Sequence, residues 1–211
     1  DDNDLARLSW KTGDEPDEPV AARRIPVVRF QGVDVAVPPG GFLQATREGE
    51  HALVAAVTSA LEKAQPRQVA DLFCGIGSFT FGLALAGKRR STLAVESDPR
   101  AVELLQYAVG QSGSPIQVVK RDLFRQPLTG DELSNLDLVL FDPPRAGALS
   151  QAEQLASTGP KWVIAVSCNP ATFTRDIRVL RNGGYELEQV VPIDQFLWSS
   201  HLEMFALLRR A

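Results

Sequence analysis

The sequence predicts an α/β fold, in which a mostly parallel β-sheet carries helices on both faces. Three observations support this prediction. Short β-branched runs alternate with helical stretches over the last two thirds of the chain, a Gly-x-Gly turn follows the first of these runs, and 44% of the 211 residues are hydrophobic. Parallel neighbours require crossover connections, which are usually helices, so a series of strands and helices places helices on both sides of one sheet.

The elements that precede this series are less regular. Residues 1–19 are acidic and contain glycine and proline, which is typical of a solvated linker. Val33–Val37 is apolar at every second position and predicts a half-buried strand, which ends at the turn residues 38–41. From Glu48 to Gln65, apolar residues recur at steps of three and four, which predicts an amphipathic helix that Pro66 terminates.

The alternating series follows. The predicted strands are Gln68–Phe73, Thr92–Glu96, Ile116–Lys120, Leu136–Phe141, Trp162–Ser167, Tyr185–Val191 and Glu203–Leu208. The predicted helices are Ser78–Ala86, Pro99–Gln111, Ser150–Ser157 and Pro170–Arg181. Ligands of such sheets bind outside the carboxyl ends of the strands, so the residues that follow each strand are the candidates for function.

Composition and charge exclude several classes of protein. Lys and Arg number 22 against 26 Asp and Glu, so the net charge of −4 lacks the basic excess of a nucleic-acid-binding module. Cys74 and Cys168 are the only cysteines, too few for a disulfide framework, a four-cysteine zinc site or an iron–sulfur cluster. We therefore expect no metal and a reducing, cytoplasmic setting. No apolar run approaches the roughly 20 residues that span a bilayer, so we expect no membrane association.

The turn after the first strand of the series indicates a nucleotide-like ligand. Gly75 and Gly77 permit positive φ angles and a close approach of ligand to backbone, although many nucleotide binders share this turn. Glu96 ends the next strand 21 positions after Gly75, where a carboxylate would accept hydrogen bonds from ribose hydroxyls. Residues 78–80 supply no third glycine, which disfavours a dinucleotide and leaves another adenosine-bearing ligand.

Two further strand ends carry carboxylates. Asp122 could accept from an adenine amino group or merely cap a turn. Asp142 is followed by Pro143 and Pro144, which fix φ and remove backbone donors, so this loop presents acceptors to a substrate that bears N–H groups. Arg145 could contact that substrate or form a surface salt bridge.

Cys168 is the candidate nucleophile. Asn169 is a good N-cap and Pro170 suits the first helical position, so Cys168 should lie just before a helix start, where the helix dipole favours the thiolate. The alternative is a small apolar packing residue, which is the role we expect for Cys74. Glu203 enters the apolar last strand either as an edge charge or as a general base.

Residues 71–79, Asp142-Pro143-Pro144-Arg145, Ser167-Cys168-Asn169-Pro170 and His201-Leu202-Glu203, in this order, resemble the S-adenosylmethionine-dependent RNA uracil-5-methyltransferases. Phe42-Leu43-Gln44 is similar to the aromatic-x-Gln segment of that family, so the resemblance covers residue 40 to the end of the chain. It implies the class I methyltransferase fold, a Rossmann-like doubly wound sheet with strand order 3-2-1-4-5-7-6 and an antiparallel seventh strand. It also implies 5-methyluridine as the product.

The resemblance assigns roles within the reaction. Carbon 5 of uracil is a weak nucleophile until a thiolate adds to carbon 6, and Cys168 would form that bond. Glu203 would then remove the carbon 5 proton. The implied substrate-binding residues are Phe42, Gln44, Asp142, Pro143 and Arg145. The implied residues that bind the cofactor, S-adenosylmethionine, are Gln44, Asp71, Phe73, Gly75, Gly77, Glu96, Asp122 and Asp142.

We divide the chain into an acidic linker or remnant of an upstream region (1–24), a lead-in strand and active-site loop (25–47), and the methyltransferase catalytic domain (48–211). The family usually carries an N-terminal RNA-binding barrel, and some members carry a four-cysteine iron–sulfur site. This chain has neither. We therefore expect rRNA or tRNA as the substrate, a monomer, and an upstream RNA-binding domain that is missing from this chain.

Two alternatives remain open. A methyltransferase that acts on an exocyclic amine would use residues 142–144 and transfer directly to nitrogen without Cys168. A non-catalytic RNA-binding domain of the same fold would transfer no methyl group to any RNA.

Overall fold

The computed structural model describes residues 4–13, 17–87, 89–196, 198–199 and 201–210. In chain order its elements are β1 (Arg7–Trp10), β2 (Glu18–Ala22), β3 (Val27–Phe30), β4 (Val33–Ala36), α1 (Arg47–Ala64), β5 (Gln68–Leu72), α2 (Thr80–Leu85), β6 (Ser91–Glu96), α3 (Pro99–Ser112), β7 (Ile116–Lys120), α4 (Gly130–Leu133), β8 (Leu138–Phe141), α5 (Leu149–Thr158), β9 (Trp162–Ser167), α6 (Pro170–Asn182), β10 (Tyr185–Ile193) and β11 (Glu203–Arg210).

A seven-stranded sheet forms the centre of the protein, in the order β10-β11-β9-β8-β5-β6-β7. β5 to β9 are parallel, whereas β11 runs antiparallel to both β9 and β10. Numbered from β5, the order reads 3-2-1-4-5-7-6 with an antiparallel seventh strand. The predicted fold class and strand order are therefore confirmed.

The central strands are buried on both faces, because successive side chains alternate between two helical layers. Val139 and Phe141 of β8 pack with α4, α5 and α6, whereas Leu138 and Leu140 pack with α1 and α2. A third cluster lies beside them, where the hairpin of β3 and β4 packs against α3. The helices thus cover both faces and leave the carboxyl ends of the parallel strands free for a site.

The beginning of the chain differs from the expectation of a linker without packed elements. β1 and β2 form an antiparallel ladder, and Arg7 Nη1 at its start donates to the carbonyl of Val37 at 2.9 Å. The prediction failed because every residue of β2 is exposed, so no apolar alternation marks it. Residues 1–3 and 14–16, also within that expected linker, lie outside the described residues. The division at residues 24 and 47 stays a prediction. Within the described ranges, no helix is long and apolar enough to cross a membrane.

Candidate active site

A cleft of about 460 Å³ opens at the carboxyl ends of β5, β6, β8 and β9. It brings together residues from distant parts of the chain, since parallel strands end at the same edge of the sheet. The predicted site residues that line it are Phe42, Gln44, Phe73, Gly75, Glu96, Asp142, Pro143, Arg145, Cys168 and Glu203. The other predicted site residues do not line the cleft; they are Asp71, Gly77 and Asp122.

The turn after β5 forms one wall of the cleft. Gly75 (φ +56°) donates its N–H to Glu96 Oε2 at 2.9 Å, and a Cβ built on Gly75 would meet open space. Gly77 (φ +100°) instead faces the protein interior, where a Cβ would lie 2.8 Å from Leu105 Cδ1. The first glycine therefore leaves room for a ligand beside a carboxylate, whereas the second lets the turn pack closely on α3.

Asp71 lies beneath this turn. Its position on β5 points its side chain to the face of α2, where Thr80 Oγ1 donates to Asp71 Oδ2 at 2.6 Å. The residue is fully buried, and Oδ1 has no hydrogen-bond partner in the described part of the chain. Burial raises the pKa of the Asp71 carboxyl to about 7, and Glu96 adds to the shift, although Thr80 opposes it.

Asp122 occupies a turn after β7. Its Oδ1 accepts from the backbone N–H of Phe124 at 2.9 Å, and its Oδ2 forms an exposed ion pair with Arg125 at 3.5 Å. Phe124 lines the cleft instead and packs against Phe73, with ring centroids 5.3 Å apart. Sequence analysis predicted Phe73 but missed Phe124; an aromatic residue two positions after Asp122 is the local signal that could have indicated it.

The Asp-Pro-Pro-Arg loop follows β8. The backbone N–H of Asp142 donates to the carbonyl of Leu72 at 3.2 Å, which ties this loop to the neighbouring strand. Burial raises the pKa of the Asp142 carboxyl to about 8, with further contributions from Glu203 and Asp71. Arg145 Nη2 lies 2.8 Å from His201 Nδ1, so this arginine contacts the loop before β11 and forms no surface salt bridge with an acid among the described residues.

Strand register brings Cys168 and Glu203 together. Met204 of β11 pairs with Ser167 of β9. Because the two strands are antiparallel, Glu203, one residue before Met204, and Cys168, one residue after Ser167, lie at the same end of the pair. Asn169 caps α6 by accepting from the N–H of Ala171 at 3.0 Å, as the sequence predicted. A candidate nucleophile and a candidate base therefore share one wall of the cleft.

The electrostatic setting of Cys168 is the reverse of the predicted one. We expected a helix start to favour the thiolate, but burial raises the pKa of the Cys168 thiol, and Glu203 and Asp142 raise it further. The Arg145 guanidinium lowers this pKa to a smaller extent. The prediction was wrong because burial, together with the two nearby carboxyl groups, raises the pKa of this thiol.

Glu203 is 2% exposed, and burial raises the pKa of its carboxyl. A hydrogen bond from the Gln195 side chain lowers this pKa in part. Gln195 Nε2 also donates to Gln44 Oε1 at 2.8 Å, and the backbone N–H of Thr46 donates to Gln195 Oε1 at 3.4 Å. Sequence reasoning missed Gln195, because its partner Gln44 lies 151 positions away.

The residues of the cleft fit a ligand that contains adenosine and an amino acid. The Glu96 carboxylate can accept from ribose hydroxyls, and Phe73, Phe124, Ile76 and Ala101 supply apolar walls for a flat base. The Asp142 carboxyl and the Gln44 amide offer polar contacts farther along the cleft. The open space beside Gly75 would let the ligand approach the backbone closely.

Comparison with known proteins agrees with this arrangement. Residues 37–211 match the family described as tRNA (uracil-5-)-methyltransferase. The chain is 46% identical over 209 residues to an uncharacterized RNA methyltransferase of Brucella suis, which covers 98% of this chain and 48% of that protein. It is 34% identical over 209 residues to the 23S rRNA (uracil(1939)-C(5))-methyltransferase of Aeromonas hydrophila, covering 96% and 46%. The chain thus spans about half the length of these curated relatives.

A solved structure shares the fold. The tRNA (uracil-54, C5)-methyltransferase of Pyrococcus abyssi, in complex with S-adenosyl-L-homocysteine, superposes with a TM-score of 0.79 at 24% identity, covering 97% of this chain and 51% of that one. The family match extends over most of the chain and includes every element from β5 to β11. On this evidence the chain belongs to the tRNA (uracil-5-)-methyltransferase family.

Proposed function

We propose that the protein transfers a methyl group from S-adenosylmethionine to carbon 5 of a uridine in rRNA or tRNA, through a covalent bond between Cys168 and carbon 6. The observation that carries this proposal is the shared position of Cys168 and Glu203 at one end of the β9–β11 pair, in the cleft that Glu96 and Gly75 also line. The family match and the rRNA-modifying relative support it.

We propose that the cofactor site is built from the residues predicted for it. Gln44, Phe73, Gly75, Glu96 and Asp142 would contact the cofactor directly, since all five line the cleft. We propose that Asp71 and Gly77 support the turn after β5 from below the cleft, and that Asp122 positions Phe124, which lines the cleft. When bound, the cofactor supplies a methyl group on a positively charged sulfur.

The proposed reaction balances in three steps. The Cys168 thiol gives its proton to solvent water, and the thiolate adds to carbon 6 of uracil, so that the electron pair of the carbon 5–carbon 6 bond moves toward carbon 5 and the adjacent carbonyl. Carbon 5 then forms a bond to the methyl group as the bond between that group and the cofactor's sulfur breaks, which leaves S-adenosylhomocysteine. Glu203 finally removes the carbon 5 proton, the double bond forms again, and the thiolate leaves carbon 6.

The remaining cleft residues position the base. Phe42 is 70% exposed at the rim, where an extruded uracil could stack on its ring. Gln44, Asp142 and Pro143 would hold the base edge, and Arg145 would stabilise the negative charge that develops after thiolate addition. Such positioning of reacting groups contributes about 7 kcal/mol or more in favourable systems.

The decisive experiment traps the adduct. The full-length protein is incubated with S-adenosylmethionine and RNA that contains 5-fluorouridine, because fluorine at carbon 5 leaves no proton for Glu203 to remove. We expect a stable protein–RNA adduct on Cys168, detected by mass spectrometry after nuclease digestion, and none with Cys168→Ser. Methylation of uridine without any adduct would overturn the covalent mechanism, and methylation of an exocyclic amine in total RNA would overturn the proposed substrate atom.

Glu203→Gln tests the second role. This variant should complete methyl transfer but stall before elimination, so the adduct should accumulate on ordinary uridine. Glu186→Gln, an exposed change of the same type on β10, is the matched control and should turn over normally. Normal turnover of the Glu203 variant would assign proton removal to another group.

A further inference from the structure

Gln195 is a buried glutamine behind the cleft with no part in the reaction described above. It lies two residues after the end of β10, is 6% exposed and does not line the cleft itself. Its amide nevertheless contacts three segments that build the site: the loop that carries Gln44, the start of α1 and the start of β11. A buried amide with partners on every side is held in one orientation.

The backbone N–H of Thr46 sets that orientation. It can only donate, and it points to Gln195 Oε1 at 3.4 Å. The Gln195 side chain also hydrogen-bonds the Glu203 carboxyl and lowers its pKa, as an N–H donor does. Exchange of the Gln195 oxygen and nitrogen would therefore oppose donor to donor at Thr46 and remove the donor from Glu203.

The fixed amide of Gln195 in turn orients Gln44. Gln195 Nε2 donates to Gln44 Oε1 at 2.8 Å, so the Gln44 oxygen is engaged by this neighbour. Within the described part of the chain, the Gln44 NH₂ group has no acceptor, and Gln44 lines the cleft. A ligand in the cleft therefore meets a hydrogen-bond donor at this position.

We propose that Gln195 is a positioning residue that makes the site select uracil over cytosine, by holding the Gln44 amide with its NH₂ group toward the base. This inference rests on the proposed function. Uracil carries a carbonyl oxygen at carbon 4, whereas cytosine carries an amino group there. The amino group of cytosine would thus face the NH₂ group of Gln44, and two donors would oppose each other. Rotation of the Gln44 amide would remove this conflict but would bring its NH₂ group against the NH₂ group of Gln195.

The packing around Gln195 supplies a second, independent way to disturb it. A Cβ built on Gly49 of α1 would collide with Gln195 Oε1 and lie 2.8 Å from its Cδ. Gly49 has an ordinary helical backbone, so alanine there should displace Gln195 without straining α1. Gly110 of α3 is the matched control, because a Cβ there meets nothing within 4 Å.

The test uses the full-length protein and two short transcripts. The uridine that the wild type methylates in unmodified total RNA is mapped, and transcripts of that region are made with uridine or cytidine at the target. Dissociation constants are measured with S-adenosylhomocysteine present, so that no turnover occurs. The variants are Gln195→Met, which keeps similar volume without an amide, Gly49→Ala and the control Gly110→Ala.

We expect Gln195→Met and Gly49→Ala to reduce the preference for uridine over cytidine by about tenfold, since one well-formed base contact discriminates on that order. Gly110→Ala should keep the wild-type ratio and should bind S-adenosylhomocysteine within about twofold of wild type. An unchanged ratio in Gln195→Met overturns the inference; if that variant does not fold, an unchanged ratio in Gly49→Ala does so. Absence of uridine methylation by the wild type would instead refute the proposed function, and this inference with it.

Discussion

Replacement of Asp71 by asparagine should stabilise the protein increasingly as the pH rises. Asp71 is fully buried, and one of its oxygens has no partner among the described residues. Burial raises the pKa of its carboxyl from 3.8 to about 7 in the folded state. Because the folded pKa lies above the unfolded one, protonated Asp71 contributes stability that is fully present below about pH 4 and is lost as the pH rises through 7.

The size of the effect follows from the interval between these two pKa values. One pH unit corresponds to about 1.4 kcal/mol for a single group, so an interval of about three units corresponds to about 4 kcal/mol in total. Between pH 5 and pH 8, Asp71→Asn should therefore gain about 2.5 kcal/mol of unfolding free energy relative to wild type. The asparagine NH₂ group adds an offset, but asparagine does not titrate, so this offset is the same at every pH.

Urea denaturation of both proteins at pH 5, 6, 7 and 8 measures the difference. Glu103→Gln, an exposed substitution on α3, is the control, and its difference from wild type should change little with pH. A difference between Asp71→Asn and wild type that stays flat from pH 5 to pH 8 would refute the reasoning. It would mean that Asp71 stays solvated or ionised beneath the glycine turn.

Three other outcomes follow from the structure. Gly77→Ala should lower the unfolding free energy by about 3 kcal/mol, against about 1 kcal/mol for Gly75→Ala, because only Gly77 adds a collision to the positive φ; equal losses in chemical denaturation would contradict this. Tyr185→Phe removes the donor to the Pro160 carbonyl at 2.5 Å and should lower the unfolding free energy by about 1 to 2 kcal/mol; no loss would show that the carbonyl is rehydrated. Alkylation of Cys168 by iodoacetamide should reach half its maximal rate at a lower pH with S-adenosylmethionine bound than with S-adenosylhomocysteine bound. The reason is that the positive sulfur of S-adenosylmethionine favours a nearby thiolate. Identical pH profiles would place the sulfonium away from the thiol.

The sequence was sufficient to predict the sheet and most of the cleft. β8 is a continuous apolar run and β9 nearly so, and several helices have an N-cap that can be recognised locally, such as Asn169 before α6. Strand order then places Glu96, Asp142 and Cys168 at one edge without any knowledge of side-chain contacts. β1 and β2 were missed for the converse reason, since their residues are mostly exposed and carry no such pattern.

Side-chain direction was harder to predict than position along a strand. Asp71 precedes the glycine turn as expected, yet β5 is buried on both faces, so apolar alternation does not reveal that its side chain points beneath the turn. Asp122 follows its strand as expected, but a hydrogen bond from the backbone N–H of Phe124 holds its carboxylate in the turn. Gln195 could not be assigned at all, because its contacts depend on the packing of three distant segments.

The error about Cys168 has a consequence for how the proposed site handles charge. A helix start is a local feature, whereas Asp142 and Glu203 reach the thiol through strand order and register, and both raise its pKa. Burial also raises the pKa of both carboxyl groups, that of Asp142 to about 8, so each favours its neutral form more than an exposed carboxyl does. A positive charge bound beside them would favour their ionised forms. Since the methyl donor carries a positive sulfur and its demethylated product does not, the preference of the cleft for the donor over the product should increase as the pH rises and these groups ionise.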